Sequence, residues 1–285
     1  MENQNNNKRN KLSLFWSQSH SSSTTVENIN DFPDEILTHL LSFLPTREAF
    51  RTTVLSKRWR PLSYSLSDLV IDDQRVQNSE DLIQFRQFMD AVMFSTSLTL
   101  KSFHLSCFSK LWETEGDCFD KWVEVAKHRH IEVLRLHFSY SLYIPLAPTI
   151  FCCKTLVNLT LAHIRVAIMF HCSADLPLLK TLCLTLVKFE DMKDFMNLLS
   201  GCPILEYLHT IGVESTTGIT VGGCIKPLPK LIKAYIFLFD VPFRALQNVQ
   251  SLRVHEVWYM IIMHPPLSAS IIYYYIVSSF YSLKL

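Results

Sequence analysis

One pattern recurs through most of this chain and limits what it can fold into. An apolar residue is followed three and five positions later by two more, as Leu100-Phe103-Leu105, Ile131-Leu134-Leu136, Leu156-Leu159-Leu161 and Leu179-Leu182-Leu184. A weaker form stands at Leu205-Leu208, Leu231-Ala234-Ile236 and Val249-Leu252-Val254. The last two positions of each triplet are two apart, the period of a short strand with one buried face. The units start about 25 residues apart on average, a repeat length that holds one strand and one return segment. Such a unit cannot bury its apolar face alone, so it stacks on its neighbours in a solenoid. Residues 191–200, DMKDFMNLLS, predict a return helix with Phe195, Leu198 and Leu199 inward and Gly201 at its end. The expected unit is therefore one strand plus one helix.

The flanks read differently. Residues 1–29 are rich in Asn, Ser and Gln and bury too little apolar surface to offset the entropy of ordering, so a flexible tail is expected. Order should begin near Asp31. Pro33 suits a first helical position, with Asp34 and Glu35 in the first turn and Ile36, Leu37, Leu40, Leu41 and Leu44 as a wide apolar face. Pro45 stops that helix. Thr46 is placed to cap a second and Ser56 a third, which carries Lys57, Arg58, Trp59 and Arg60. Three short helices cannot bury all of these apolar side chains among themselves. The surplus packs on the rest of the chain or meets a partner. Residues 80–97, with Leu82, Phe85, Phe88, Met89, Val92 and Met93 at helical spacing, predict a helix bridging the two regions.

The stretch DFPDEILTHLLSFLPTREAFRTTVLSKRWR at 31–60 resembles an F-box, and more narrowly the F-box of plant F-box/leucine-rich-repeat proteins. It departs from the family pattern at Phe32, Phe50 and Ser63. The stretch from Lys121 to Leu136 and LLSGCPILEYL at 198–208 resemble repeats of the same family, the FBD-associated group, without the C-terminal FBD domain being expected here. The resemblance implies docking on a SKP1-type adaptor within a cullin-RING ubiquitin ligase. The adaptor-facing residues it implies are Phe32, Pro33, Ile36, Leu37, Leu40, Leu44, Pro45, Val54, Leu55 and Trp59, with Arg51, Lys57, Arg58 and Arg60 on a solvated rim. Its usual Asn or Cys ladder position is held by Ser139, Ile164 and Val187, so the repeats are irregular.

Composition narrows the function classes. A net charge of +1 gives no general field for nucleic acid or anionic lipid. Six glycines and no phosphate-loop, G-x-S-x-G or H-E-x-x-H motif leave no enzyme signature. The eight cysteines make no C-x-x-C pair, so no zinc site of finger or ribbon spacing is expected and free, reduced thiols are. The histidines at 128, 130, 163 and 171 lack a partner at catalytic spacing. Residues 257–283 contain no Asp, Glu, Lys or Arg, but His264-Pro265-Pro266 interrupts the run. The alternatives for this tail are a native cap, a membrane anchor or an end altered by transcript processing, with no membrane span expected.

These readings combine into one expectation of fold class, α+β to α/β. A three-helix F-box at 31–72 is joined by the bridging helix at 80–97 to an irregular leucine-rich-repeat solenoid at 98–256 and an apolar tail at 257–285. The expected function is substrate recognition for a ubiquitin ligase, without catalysis, cofactor or metal, in the cytoplasm or nucleus. The partners are the adaptor and an unidentified protein substrate, with no nucleic acid. The alternative is a binding-only or truncated F-box protein with no working substrate site.

Overall fold

The computed structural model describes residues 28–95, 100–114, 117–139, 143–169, 173–216, 227–237, 240–241 and 243–255. Three helices open the chain: α1 at Asp34–Leu41, α2 at Thr46–Arg51 and α3 at Trp59–Tyr64. Order starts earlier than Asp31. Asn28 caps a short 3-10 turn at Ile29–Asp31 through its side chain, which accepts from the Asn30 amide. Two caps differ from expectation. Thr46 is the first residue of α2, and its hydroxyl accepts from the Val70 amide at 2.8 Å instead of capping its own helix. The third helix begins at Trp59, so Ser56 contributes only its carbonyl, to the Trp59 amide.

Eight parallel strands follow: β1 at Asp68–Asp72, β2 at Ser102–Cys107, β3 at Val133–Phe138, β5 at Asn158–Ala162, β7 at Thr181–Thr185, β9 at Tyr207–Ile211, β11 at Lys233–Phe237 and β12 at Ser251–His255. They form one sheet in that order. Each of the seven apolar repeats starts two residues before one of these strands, and its remaining apolar positions lie on the strand. β1 joins them although the three-helix unit was expected to run to residue 72. Leu66-Leu69-Ile71 carries the same triplet, directly after the F-box motif.

Register explains why the triplets repeat. Leu69, Phe103, Leu134, Leu159, Leu182 and Leu208 pair strand to strand in one buried row, which Ala234 continues. A parallel sheet stacks like positions on like, so each repeat needs an apolar residue at the same place. The return segments are less uniform than one helix per unit. Helix α4 at Ser79–Met93, α5 at Asp117–His128 and α6 at Met192–Ser200 serve three of them. The segments at Pro148–Cys152 and Phe243–Leu246 are single 3-10 turns. α4 lies where a helix was expected at 80–97 and ends at Met93; it is capped by Asn78, with Leu82, Phe85, Met89, Val92 and Met93 buried.

A second parallel sheet, not foreseen, follows the main strands. It comprises β4 at Ile144–Leu146, β6 at Ile164–Val166, β8 at Lys188–Phe189 and β10 at Glu214–Ser215. The chain turns into it through left-handed residues at stacked positions, His163, Leu186 and Gly212. This accounts for the missing Asn ladder. Backbone partners take up the turn amides, with His163 N–H donating to the Thr185 carbonyl and Leu186 N–H to that of Ile211. Ile164 and Val187 can then be apolar, and both are fully buried. At Gly212 a Cβ would also stand 2.7 Å from Leu186 Cδ2, so glycine serves both the backbone angle and the packing.

A second buried row, Ile71, Leu105, Leu136, Leu161 and Leu184, breaks at Thr210, and a buried carboxylate, Asp240, lies nearby, 5% exposed. Burial pushes the Asp240 carboxyl up to about 7, a rise opposed by the Val213 and Gly212 amides. The folded chain thus holds a proton that the unfolded chain, titrating near 3.8, has released. Stability from this group should be fullest below pH 4, fall as pH rises to 7, and level off above. Asp240→Asn should flatten that slope and stabilise the protein above pH 7 by up to about 4 kcal/mol. Urea midpoints of both proteins at pH 5 and pH 8 check this.

Among the described residues no helix is long and apolar enough to cross a membrane. The tail at 257–285, like residues 1–27, lies outside the described residues. Of the six described cysteines, Cys107, Cys118, Cys153 and Cys202 are buried. Burial pushes the Cys202 thiol up to about 12.

Candidate functional site

The three helices form their own small core of Leu37, Leu41, Ala49, Trp59 and Leu62, with Phe32 and Leu66 packed against it. Helix α1 is amphipathic in an unusual sense. Leu37 and Leu41, four apart, face that core. Ile36, Leu40 and Leu44, also four apart, face outward and are exposed. Phe43 lies beyond them with 72% of its surface exposed, its ring edge-on to His39 at 4.7 Å. The 3-10 turn at Thr52–Val54 then presents Val54, 86% exposed, and Leu55. Pro33 and Pro45, each preceding a helix, are exposed as well.

The structure therefore divides the expected docking residues. Ile36, Leu40, Leu44, Val54 and Leu55, with Pro33 and Pro45, lie on the surface, while Phe32 is half-buried. Leu37 at 0% exposure and Trp59 at 2% lie inside, where they hold the helices that carry the others. Phe43 and Ile29 are exposed apolar residues that sequence reasoning missed. Phe43 falls seven residues after Ile36, the next position on the same face, and that spacing was the available signal.

Arg58, expected on a solvated rim and partly exposed there, is also a clamp. Its guanidinium donates to the Phe32 carbonyl at 2.7 Å, to the Asn30 carbonyl, and to Asp34 Oδ1 from Nε at 2.8 Å and from Nη2 at 2.5 Å. Trp59 Nε1 donates to Asn30 Oδ1 at 2.8 Å. Neighbouring residues of the third helix thus fasten the segment entering the first. The Ser63 hydroxyl, a departure from the family pattern, shares its one proton between the Ala49 and Trp59 carbonyls at 2.9 and 3.0 Å. Phe50, another departure, makes edge-to-face contacts with Tyr64 at 5.2 Å and Phe88 at 5.8 Å. It joins the helical unit to α4, and α2 is further tied to β1 through Thr46 and Val70.

Among the described residues no group of three or more His, Cys, Asp or Glu could hold a metal ion. His128 sits at the end of α5 beside Glu124 at 3.3 Å. His163 stacks on His137, and burial followed by that neighbour lowers its pKa.

Comparison with known proteins fits this arrangement. The F-box domain profile matches residues 29–70. The profile described as FBD-associated F-box protein At5g56370, LRR repeats, matches residues 119–221. The putative F-box/LRR-repeat protein At3g44810 of Arabidopsis thaliana is 34% identical over 230 residues, which is 77% of this chain and 50% of that protein. The F-box/LRR-repeat protein At3g58980 of the same plant is 32% identical, over 76% of this chain and 37% of its own length. The putative F-box/LRR-repeat protein At3g58880, also from Arabidopsis thaliana, is 30% identical, over 80% and 53%. The chain spans about half the length of these relatives or less.

Proposed function

From the premise that the chain is an F-box joined to leucine-rich repeats and matches the FBD-associated F-box/LRR family of plant proteins, we propose that it is the substrate-recognition subunit of an SCF-type ubiquitin ligase. The helical unit docks on a SKP1-type adaptor, and the repeats hold the protein to be modified. The exposed apolar face of α1 with Val54 and Leu55 is the observation that carries this reading. A unit with its own satisfied core has no structural need for such a surface, and large apolar groups are effective anchors when a partner desolvates them.

The chain itself performs no chemistry. It raises the effective concentration of a substrate beside a ubiquitin-loaded conjugating enzyme. The adaptor-facing set is Pro33, Ile36, Leu40, Phe43, Leu44, Pro45, Val54 and Leu55, with Phe32 at the margin and Leu37 and Trp59 supporting it from behind. The compartment is the cytoplasm or the nucleus, where scattered thiols stay reduced.

Val54→Asp combined with Leu55→Asp should weaken capture of the adaptor at least about thirtyfold, since two anchors of about 1 kcal/mol or more are lost together. The circular dichroism spectrum should not change, because both residues are exposed. Ile83→Asp, an exposed apolar position on α4, should bind like the wild type. Equal capture by all three proteins would exclude this surface as the docking face.

A further inference from the structure

The exposed face of the large sheet is electrostatically one-sided. Its two strand carboxylates, Asp68 and Asp72, both lie on β1. From β2 to β12 the seven strands of this sheet contain no Asp or Glu. They do carry Arg135 on β3, Lys233 on β11 and Arg253 on β12, all facing outward. None of these three makes an ion pair among the described residues. The rim behaves differently, with Lys180 paired to Glu206 at 3.1 Å, Arg165 to Glu190 at 2.7 Å and Lys188 to Glu214 at 3.5 Å.

Register fixes where the cations stand. Arg135, Thr160, Cys183, His209, Tyr235 and Arg253 are consecutive in one row across the sheet. Neighbouring strands lie about 4.8 Å apart, so Arg135 and Arg253 are about 24 Å apart across five strand intervals. Between them, Thr160 and Cys183 are small and let a peptide backbone approach the sheet. Tyr235 and His209 follow with their rings 4.9 Å apart. His104, beside Arg135, has its pKa lowered by burial first and by Arg135 second. Beyond β1, whose Asp68 and Asp72 stand at the far edge, the permanent charges of the face are the Arg and Lys side chains. Three of them over about 24 Å are too few to track a polyphosphate backbone. They suit a ligand with carboxylates at intervals.

We propose that this face holds an extended acidic protein segment of about seven residues or more, crossing the strands with carboxylates on Arg135 at one end and on Lys233 and Arg253 at the other. This rests on reading the repeats as the substrate-holding part of the molecule, and it assigns that substrate a chemistry. Charge-assisted contacts of an Arg with a carboxylate are strong and directional, and three of them fix both place and orientation.

Fluorescence anisotropy on the full chain tests it, with a labelled octapeptide of alternating Asp and Ser and its counterpart of alternating Asn and Ser. The Asp peptide should bind at least about tenfold more tightly than the Asn peptide, and added salt should weaken it. Arg135→Glu and Arg253→Glu should each reduce that affinity at least about fivefold, and together remove it. Both positions are exposed, so circular dichroism should be unchanged. Equal binding of the two peptides, or indifference to both variants, overturns the proposal. So does tighter binding of an oligouridylate, which would mark the face as one for nucleic acid. Adaptor capture by the same sample separates the two readings. Capture without peptide binding overturns this inference alone, whereas failed capture counts against the ligase reading itself.

Discussion

Leu159→Asp should unfold most of the repeat region. Leu159 is fully buried in the middle of the sheet, in register with Leu134 and Leu182, themselves fully buried. A carboxylate placed there lies between two leucines within the apolar core, and an unpaired charge in such surroundings costs several kcal/mol. The damage is not local, because each repeat buries its face against the next. A loss of more than about 4 kcal/mol is expected, beyond what most point changes cause. The neighbouring change Thr160→Asp is the control. Thr160 lies on the outer face, so the same chemical group one position along should cost no more than about 1 kcal/mol. Urea unfolding followed by circular dichroism compares them. Equal damage would mean that the alternation of inner and outer residues is wrong.

Asp73→Ala should cost about 3–5 kcal/mol, although the residue touches no candidate binding surface. Its carboxylate is 2% exposed and accepts three hydrogen bonds, each of 2.8 Å, from the Phe108 amide, the Ser109 amide and Trp112 Nε1. Removing it strands three donors, two on the backbone and one on a fully buried ring. Trp112 is itself central to an aromatic cluster, with Phe119 at 4.9 Å, Phe85 at 5.7 Å and Trp122 at 6.3 Å. The variant should therefore also shift tryptophan fluorescence in the native state. Asp73→Asn keeps an acceptor but turns the other oxygen into a donor, so it should fall between wild type and Ala. Thermal unfolding of the three proteins orders them, and an Asn variant worse than Ala would contradict the assigned hydrogen bonds.

The repeats were legible because a strand's period of two survives in single residues. Leu134-x-Leu136 and Leu159-x-Leu161 state which face is buried without reference to anything distant. β1 carried the same signal in Leu66, Leu69 and Ile71 but adjoined a stronger motif, and its residues were grouped with the helices. The second sheet left almost no periodic trace, since strands of two or three residues are too short to alternate. Its only sign was negative, the apolar Ile164 and Val187 where the family pattern has a ladder residue. The return segments at 148–152 and 243–246 were unreadable for a related reason. A single 3-10 turn has no face long enough to pattern.

The helical unit was legible as a motif but not in its internal roles. Trp59 and Leu40 look alike in sequence as large apolar residues, yet one is buried and the other exposed. That division depends on how three helices meet. Arg58 shows the same limit. Its clamp reaches back to Asn30, Phe32 and Asp34, and no local rule connects positions so far apart in the chain.

Thr46 and Phe50 close the first edge of the large sheet before any later strand is needed. The Thr46 hydroxyl occupies the edge amide of Val70, and Phe50 anchors α2 on α4. A sheet started this way can grow in one direction as the chain leaves the ribosome. Each new parallel strand finds a finished template on its N-terminal side, and nothing made later has to thread back past it. The wait between partner strands is one repeat of synthesis, not the whole chain. Nascent chains arrested after β5 or β7 should therefore already protect the amides of β1 to β3 from hydrogen exchange. Their last strand, with no neighbour yet on its outer edge, would be the one left exchanging.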